Sequence, residues 1–341
     1  PISIPGMYEI GSGLFLEKRV ESPIVKKFEP GKLLLRVRSK TVNANISKID
    51  QLMNQAIAEN AWPGAVLLAA KDGNIFYQKG HGYHTYQGRN ITRSSDIFDL
   101  ASITKTVATT SSIMKLKDLG KIDINKPVVH YLPKFKGSDK KYFNQKSKIT
   151  IKDLLAHASG LPAFKQYYKE EKTRKSVLES IYDTVPIKSN RDTTIYSDVG
   201  AIILGEIVEK ISGLSLNVFA DSMIFKPLGM GTTFFNPPSN KMRRIVPTEF
   251  KPDGTIVHGY VHDENAYSLG GVAGHAGLFS TAKDLAVFSQ MMLNDGLYGW
   301  KRIFKMETVN EFTTKANVVD GSSRLLGWDS PSGYASGGIY L

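Results

Sequence analysis

The chain has 341 residues, of which 41% are hydrophobic, so it has enough apolar material for a large folded core. Its 44 lysine and arginine residues exceed its 32 aspartate and glutamate residues, which gives a net charge of +12. This charge would suit an anionic cell-wall polymer. The basic residues are scattered along the chain, however, which argues against a nucleic-acid-binding module. No cysteine is present, which excludes disulfides and thiolate chemistry in these residues, and no apolar run is long enough to span a membrane.

Composition divides the chain into two unequal parts. Residues 1–45 are predicted to be a leader or interdomain linker, because residues 21–40 mix charged side chains with proline and glycine. Residues 46–341 are long enough for one large domain with two lobes around a cleft. The candidate catalytic residues lie in this second part.

The elements of the domain follow from hydrophobic periodicity and from cap residues. Two apolar runs flank Asp72-Gly73, which is a strong signal for a β-hairpin turn. Apolar side chains at helical spacing predict the helices, and Gly120 and Gly213 close two of them. The predicted helices cover residues 46–57, 104–119, 199–211 and 284–293, the hairpin strands cover 64–70 and 74–78, and residues 223–259 are predicted to be rich in loops.

Ser102 lies at the start of the second predicted helix, with Lys105 three residues later. Positions i and i+3 share a helix face, so the lysine could help remove the proton that makes a serine hydroxyl a poor nucleophile. The helix N-terminus would also favour developing negative charge. Taken alone, the segment favours a plain N-cap serine, and the same spacing recurs in the pairs Ser112/Lys115, Ser138/Lys141 and Ser280/Lys283.

Tyr196-Ser197-Asp198 directly precedes the third predicted helix. A tyrosine at such a junction is most often a core residue with a bonded hydroxyl. The functional alternative is a phenol beside a lysine, because a nearby cation favours phenolate and makes tyrosine a usable base.

Ser-Ile-Thr-Lys at 102–105, followed downstream by Tyr-Ser-Asp at 196–198, resembles the serine β-lactamase and penicillin-binding-protein superfamily. The similarity is to class C β-lactamase-related hydrolases, which include D-alanyl peptidases and esterases. It implies an α/β (α+β) fold, with an antiparallel sheet flanked by helices and a mainly helical lobe. Matching segments run in order from about Ile46 onward and include residues 119–133, 149–162 and 270–285.

The resemblance implies that Ser102 is the acylated nucleophile, Lys105 its partner and Tyr196 the general base. The Ser102 N–H would supply half of an oxyanion hole. Asp198 stands where asparagine is commoner, and a carboxylate only accepts hydrogen bonds, so we expect weaker recognition of a β-lactam side-chain amide. If Asp198 pairs with Lys105, it would keep the lysine protonated and shift the base role towards Tyr196.

The family's third motif, Lys/His-Thr/Ser-Gly, is not visible in the sequence. His275-Ala276-Gly277 is a candidate stand-in, with His275 contacting substrate; the alternative is a loop histidine with a satisfied hydrogen bond. The motif normally follows a segment like residues 326–333, so the resemblance implies that the domain at 46–341 lacks its C-terminal strands. Residues 1–14 resemble the closing segment of family 3 glycoside hydrolases, which predicts a fusion, although a surface linker is the other interpretation.

The function predicted from the resemblance is a serine hydrolase that forms an acyl-enzyme on amide or ester substrates. A D-alanyl peptide of peptidoglycan or a small ester is preferred to a β-lactam, and the expected location is periplasmic or extracellular. The alternative is a non-catalytic module that binds peptidoglycan or a small ligand. No cofactor or metal is predicted: His258, His262 and Asp263 could bind zinc on a helix, but Gly259 argues against a helix there.

Overall fold

A computed structural model describes residues 34–37, 46–170 and 173–330. The predicted linker over residues 1–45 lies almost wholly outside the described residues, as do residues 331–341. The strands are β1 (Arg36–Val37), β2 (Gly64–Lys71), β3 (Asn74–Gly82), β4 (Phe98–Asp99), β5 (Phe234–Phe235), β6 (Glu249–Phe250), β7 (Ile256–Val257), β8 (Leu278–Ser280), β9 (Leu297–Tyr298) and β10 (Lys301–Arg302). The helices are α1 (Ile46–Ala58), α2 (Ser111–Asp118), α3 (Val128–Tyr131), α4 (Phe143–Lys146), α5 (Ile151–Leu155), α6 (Tyr167–Glu170), α7 (Arg174–Asp183), α8 (Asp198–Ser212), α9 (Leu216–Ala220), α10 (Lys226–Leu228), α11 (Glu264–Ser268), α12 (Ala282–Leu293) and α13 (Met306–Phe312).

The predicted hairpin is β2 and β3, which pair antiparallel. Asp72 and Gly73 both have positive φ, +50° and +74°, as the primed two-residue turns of hairpins require. The pairing continues to Gly64 opposite Gly82, so the second strand is longer than predicted. On its other edge β3 pairs with β1 in parallel, which gives the order β1-β3-β2.

A second small sheet, in the order β4-β8-β5, positions two segments that matter for the site. Asp99 at the end of β4 is paired with Phe279 in β8, and Phe98 is paired with Ser280. Because the two strands are antiparallel, the segment that leaves β4 and the segment that enters β8 meet at the same end of the sheet. The first of these segments leads to Ser102, and the second contains residues 274–277.

The helical lobe is built around α8. Apolar side chains surround this helix on nearly all sides, so it is buried within the lobe rather than lying on its surface. Ser197 caps its start by accepting a hydrogen bond from the Gly200 N–H at 3.1 Å, and Gly213, with φ +72°, ends it. The predicted helix over 199–211 is thus present with one more residue at each end. Its buried residues are Val199, Gly200, Ala201, Ile202, Ile203, Leu204, Gly205, Ile207 and Val208.

The nucleophile helix differs from the regular helix predicted over residues 104–119. Lys105–Thr110 form a π-helical segment, and the α-helix proper is α2. Buried hydroxyls add further bonds to carbonyl oxygens along this stretch: Ser112 Oγ donates to Ala108 O at 2.6 Å, and Ser111 Oγ donates to the same oxygen at 3.1 Å. Such π segments occur mostly inside α-helices at functional sites, and hydrophobic periodicity alone does not detect them.

Short elements link these parts, including residues 223–259, which were predicted to be loop-rich and hold α10 and β5 to β7. None of the helices in the described part of the chain is long and apolar enough to cross a membrane.

Candidate active site

Ser102 is exposed at the turn between β4 and the π-helical segment. The residue before it, Ala101, has φ +44°, a left-handed conformation that costs an L-residue free energy and is often found at functional sites. Asp99 stabilises this turn by accepting a hydrogen bond from the Ala101 N–H at 2.9 Å and another from the His262 N–H at 2.8 Å. The hydroxyl of Ser102 is therefore held in an exposed position by a strained and anchored backbone.

Lys105 joins the site to two other segments of the chain. Its ammonium donates to Ser102 Oγ at 2.8 Å, lies 2.6 Å from Asp198 Oδ1, and donates to the carbonyl oxygen of His275 at 3.2 Å. The lysine side chain is only 8% exposed. The predicted Ser102–Lys105 contact and the Asp198–Lys105 ion pair are both present in the structure.

The chemistry of these three acceptors limits where a proton can move. A carbonyl oxygen and a carboxylate only accept hydrogen bonds, whereas a serine hydroxyl can either accept or donate. Of the three partners of Lys105, only Ser102 can therefore reverse the direction of its bond and give its proton to the lysine nitrogen, once that nitrogen is a neutral amine. The arrangement suits proton exchange between Ser102 and Lys105 and holds the lysine fixed during it.

The other Ser-x-x-Lys pairs lack this arrangement. Ser112 is buried and its hydroxyl bonds to a helix carbonyl, while Lys115 donates to Ile303 O at 2.8 Å. Ser280 is buried and is hydrogen-bonded to Thr233. Among the described residues, Ser102 is the serine of these four pairs that is hydrogen-bonded to its own lysine.

The segment from Gly274 to Leu278 lies against the nucleophile helix. Thr109 Oγ1 donates to Gly274 O at 2.7 Å, and the Leu278 N–H donates to Thr104 Oγ1 at 3.1 Å. A Cβ atom at Gly274 would overlap the carbonyl oxygen of Ala201 in α8, so the close approach requires glycine. These contacts fix the backbone carbonyl that Lys105 uses.

Tyr196 stands at the cleft with 43% of its surface exposed, immediately before α8. The Lys105 nitrogen lies 4.9 Å from the centroid of its ring, and the Arg324 guanidinium carbon lies 5.2 Å from it. The phenol was predicted to lie beside the lysine; in the described structure the lysine lies over the ring, and the hydroxyl has no hydrogen bond to Lys105 or Ser102. The general-base role of Tyr196 stays a prediction.

His157 packs against the segment that contains Tyr196 and Ser197. Its Nδ1 accepts a hydrogen bond from the Ser197 N–H at 3.1 Å, and its ring centroid lies 4.7 Å from that of Tyr196. Burial lowers the pKa of His157 to about 3, and the charges of Arg324 and Lys105 act in the same direction. The imidazole is therefore neutral at physiological pH and packs against Tyr196 without adding charge.

His275 was predicted as a substrate contact, with a satisfied loop histidine as the alternative. Its side chain is 1% exposed, and its Nε2 lies 2.7 Å from Asp263 Oδ1. The structure therefore places the imidazole away from the open cleft, as in the alternative interpretation. What His275 contributes to the site is its backbone oxygen, which Lys105 contacts.

The cleft beside Ser102 has a volume of about 200 Å³. Besides the predicted residues, Arg324 and Asp329 contribute to its wall. Their ion pair is loose, 3.4 Å from the Arg324 guanidinium to Asp329 Oδ2, so the guanidinium keeps hydrogen-bond donors for a ligand. Sequence reasoning missed Arg324 and Asp99, and it considered Asp263 only as a zinc ligand. Of these three residues, Asp263 has a local signal, as the N-cap residue before α11.

The residues weighed as a zinc site are separated. His258 contacts Ile245 O at 2.9 Å, His262 pairs with Glu249 at 3.1 Å, and Asp263 contacts His275. Residues 258–263 precede α11 and are not helical. Within the described ranges, no group of three or more metal-ligating side chains comes together.

Comparison with known proteins identifies the family. A model of the family described as Beta-lactamase matches residues 49–338. The chain belongs to the beta-lactamase family. The resemblance drawn from the motifs, the α+β fold class and the serine hydrolase class are therefore confirmed at the level of the family.

Two similar proteins are named as an amidase and a carboxypeptidase. The N-acetylmuramyl-L-alanine amidase of Bacillus subtilis strain 168 is 36% identical over 312 residues, which cover 83% of this chain and 70% of that protein. A Salmonella gallinarum protein, provisionally named a D-alanyl-D-alanine carboxypeptidase, is 38% identical over 296 residues, covering 78% of this chain and 68% of that protein.

Solved structures show the same beta-lactamase fold at lower sequence identity. FmtA from Staphylococcus aureus superposes with a TM-score of 0.67 and 19% identity, over 86% of this chain and 78% of that chain. A class C beta lactamase superposes with a TM-score of 0.63 and 20% identity, over 80% and 71% of the two chains. At these identities the likeness concerns the fold.

Proposed function

We propose that this chain hydrolyses an amide bond in a peptidoglycan-derived peptide through an ester intermediate on Ser102. The observation that carries the proposal is the 2.8 Å hydrogen bond between the exposed Ser102 hydroxyl and the buried Lys105 ammonium. The names of the two relatives support the substrate class, since both describe enzymes that cleave amide bonds of cell-wall peptides.

In the proposed mechanism, Ser102 Oγ attacks the carbonyl carbon, and its proton passes to Lys105 in its neutral amine form or to Tyr196 in its phenolate form. The tetrahedral oxyanion accepts a hydrogen bond from the Ser102 N–H, which fixed backbone geometry makes available without reorganisation. The same proton then goes to the leaving amine, the C–N bond breaks, and an acyl-enzyme ester remains. Water attacks the ester carbon, the C–O bond to Ser102 Oγ breaks, a proton from water returns to that oxygen, and the acid product leaves.

Asp198 shapes the proposed specificity. Its carboxylate, 22% exposed and paired with Lys105, cannot donate a hydrogen bond to an acyl-side amide carbonyl. We therefore infer that β-lactams with such side chains acylate this site more slowly than muropeptides or small esters. Cell-wall substrates also imply a periplasmic or extracellular location. Residues 46–341 would form the hydrolase domain behind a linker at 1–45, of which the short strand β1 joins the sheet of the domain through β3.

Four compounds test the proposal: a muramyl-L-alanyl peptide, a pentapeptide ending in D-Ala-D-Ala, a chromogenic ester and a fluorescent penicillin. We expect peptide cleavage by liquid chromatography and mass spectrometry, with a mass increase on the intact chain from the acyl-enzyme. Ser102→Ala should abolish both signals. Ser138→Ala is the matched control, because Ser138 has the same spacing to a lysine and is exposed elsewhere.

The outcomes separate the enzyme from its rival. If the folded chain neither cleaves nor is acylated by any of the four compounds, the proposal fails. Saturable binding of the same peptides without turnover would then favour the non-catalytic binding module. Cleavage that persists in Ser102→Ala would equally contradict the assignment of the nucleophile.

A further inference from the structure

We propose that Asp263 and the buried His275 form a pair that positions Lys105 through the backbone carbonyl of His275. This inference rests on the proposed function, because it assigns a role in the same acyl-transfer site. Neither residue touches the nucleophile directly: the imidazole is buried, and the contact to Lys105 is made by the main-chain oxygen. Both are therefore positioning residues.

The first step is the anchoring of the imidazole. His275 Nε2 lies 2.7 Å from Asp263 Oδ1, and that oxygen also accepts the Ala266 N–H at 2.7 Å as the N-cap of α11. Burial alone would raise the pKa of the Asp263 carboxyl. The hydrogen bond from His275 and the electrostatic effects of His275 and Lys105 outweigh burial and hold this pKa below its usual value. Asp263 is therefore an ionised and fixed acceptor for the imidazole.

The second step is the consequence for the backbone of residue 275. The side chain is fixed at one end by Asp263, and the main chain before it is fixed by the hydrogen bond from Thr109 to Gly274 O. Between these two points the carbonyl of His275 faces Lys105 at 3.2 Å. Rotation of this peptide unit would remove one of three acceptors from a largely buried ammonium.

The third step explains why an imidazole is used here. His275 Nδ1 is buried and has no hydrogen-bond partner among the described residues. An unsatisfied buried polar atom reduces stability, and its presence calls for a compensating role. Leucine would fill the space without that penalty, so packing alone does not account for histidine. The positioning role does account for histidine, because its side chain reaches Asp263 while its own carbonyl stays turned towards Lys105.

The pair acts on acylation rather than on substrate binding, which makes the inference measurable. For the proposed reaction we expect His275→Leu to lower kcat about 10- to 100-fold, the range for losing a hydrogen bond to a charged group, with KM changed less than about threefold. His275→Gln places an amide N–H near the position of Nε2 and should recover most of kcat. Asp263→Ala should resemble His275→Leu, while Asp263→Asn keeps an acceptor and should be milder.

Two controls separate positioning from damage to the fold. His258→Leu removes another partly buried loop histidine, which contacts only a backbone carbonyl at 2.9 Å, and should leave kcat unchanged. In the double variant Asp263→Ala/His275→Leu the losses should not multiply, because one pair is being removed twice. Multiplying losses, or equal loss in His275→Gln and His275→Leu, would overturn the inference.

A measurement without substrate distinguishes failure of this inference from failure of the proposed function. In protein labelled with ¹⁵N-lysine, the Lys105 ammonium signal can be assigned by its disappearance in Lys105→Arg. We expect hydrogen exchange at this ammonium to be at least about fivefold faster in His275→Leu than in the wild type or His275→Gln. Unchanged exchange in folded His275→Leu would refute the positioning role, whether or not the chain hydrolyses any peptide.

Discussion

Glu206 in α8 belongs to a hydrogen-bonded group that links the helical lobe to a segment near the site, and its titration can be tested through the free energy of unfolding. Its carboxylate accepts from the Arg174 guanidinium at 2.7 Å and from the Tyr182 hydroxyl at 3.3 Å. Arg174 also pairs with Glu209 at 3.0 Å and donates to Leu269 O at 2.9 Å, at the start of the loop that leads to Gly274. The group therefore ties α7 and α8 to the segment that supports Lys105.

Burial raises the pKa of Glu206 from 4.5 to about 7; Arg174 opposes this rise and Glu209 adds to it. Between those two pH values the folded chain keeps a proton that the unfolded chain has lost. The free energy of unfolding therefore falls as pH rises through this interval. At about 1.4 kcal/mol per pKa unit, the full effect is about 3 kcal/mol, of which about 2 kcal/mol falls between pH 5 and pH 8.

The variant Glu206→Gln removes this titration and keeps an acceptor for Arg174. We expect its unfolding free energy, relative to the wild type, to rise by about 2 kcal/mol between pH 5 and pH 8, measured by urea unfolding followed by circular dichroism. Taking this difference cancels His157, whose lowered pKa acts in the opposite direction below pH 6.5. Glu179→Gln, on the exposed face of α7, is the matched control and should show no such trend.

The reasoning is refuted if the difference between Glu206→Gln and the wild type stays constant within about 0.5 kcal/mol, the usual scatter for independent sites, across this range. It is also refuted if Glu179→Gln shows the same rise, because the pH dependence would then come from general surface charge.

Two further changes test the close contacts of the site. Gly274→Ala should lower the unfolding free energy by about 2–3 kcal/mol, since its Cβ would overlap Ala201 O, whereas Gly231→Ala, with open space around it, should change it by less than about 1 kcal/mol; denaturant unfolding compares them. Asp198→Asn supplies an amide donor, so the rate of acylation by a fluorescent penicillin relative to ester turnover should rise about fivefold, the equivalent of one net hydrogen bond. An unchanged ratio would show that Asp198 does not limit β-lactam recognition.

Local patterns predicted the elements that hold the site. Three of the four helices expected from periodicity are present as α-helices, and the fourth, predicted over 104–119, is π-helical in its first part. The helix at 284–293 begins two residues earlier as α12, where Thr281 caps it. The hairpin turn at Asp72-Gly73 follows directly from residues that tolerate positive φ. These features depend on neighbouring residues, so a single sequence contains the information needed to place them.

The support around Lys105 could not be predicted in the same way. Its contact with His275 O joins residues 170 positions apart through a main-chain atom, and any residue type offers that atom. The pairing of Asp263 with His275 is equally unmarked, since an aspartate before a short helix already has a role as its cap. Motif reasoning singled out His275 but left open whether its side chain contacts substrate or is a loop histidine with a satisfied hydrogen bond, because a motif identifies a position and not the direction of its side chain.

The acceptors of Lys105 also explain how one lysine can serve two stages of an acyl transfer. An ammonium with three N–H groups matches three acceptors, and after losing one proton it still satisfies Asp198 and the His275 carbonyl while its lone pair faces Ser102. In the proposed reaction, the nitrogen would thus not need to move between accepting the serine proton and returning it to a leaving group. The contacts with Asp198 and with the fixed carbonyl both hold the nitrogen in place. Besides Asp198, the proposed specificity would depend on the part of the cleft where the loosely paired Arg324 faces the exposed ring of Tyr196.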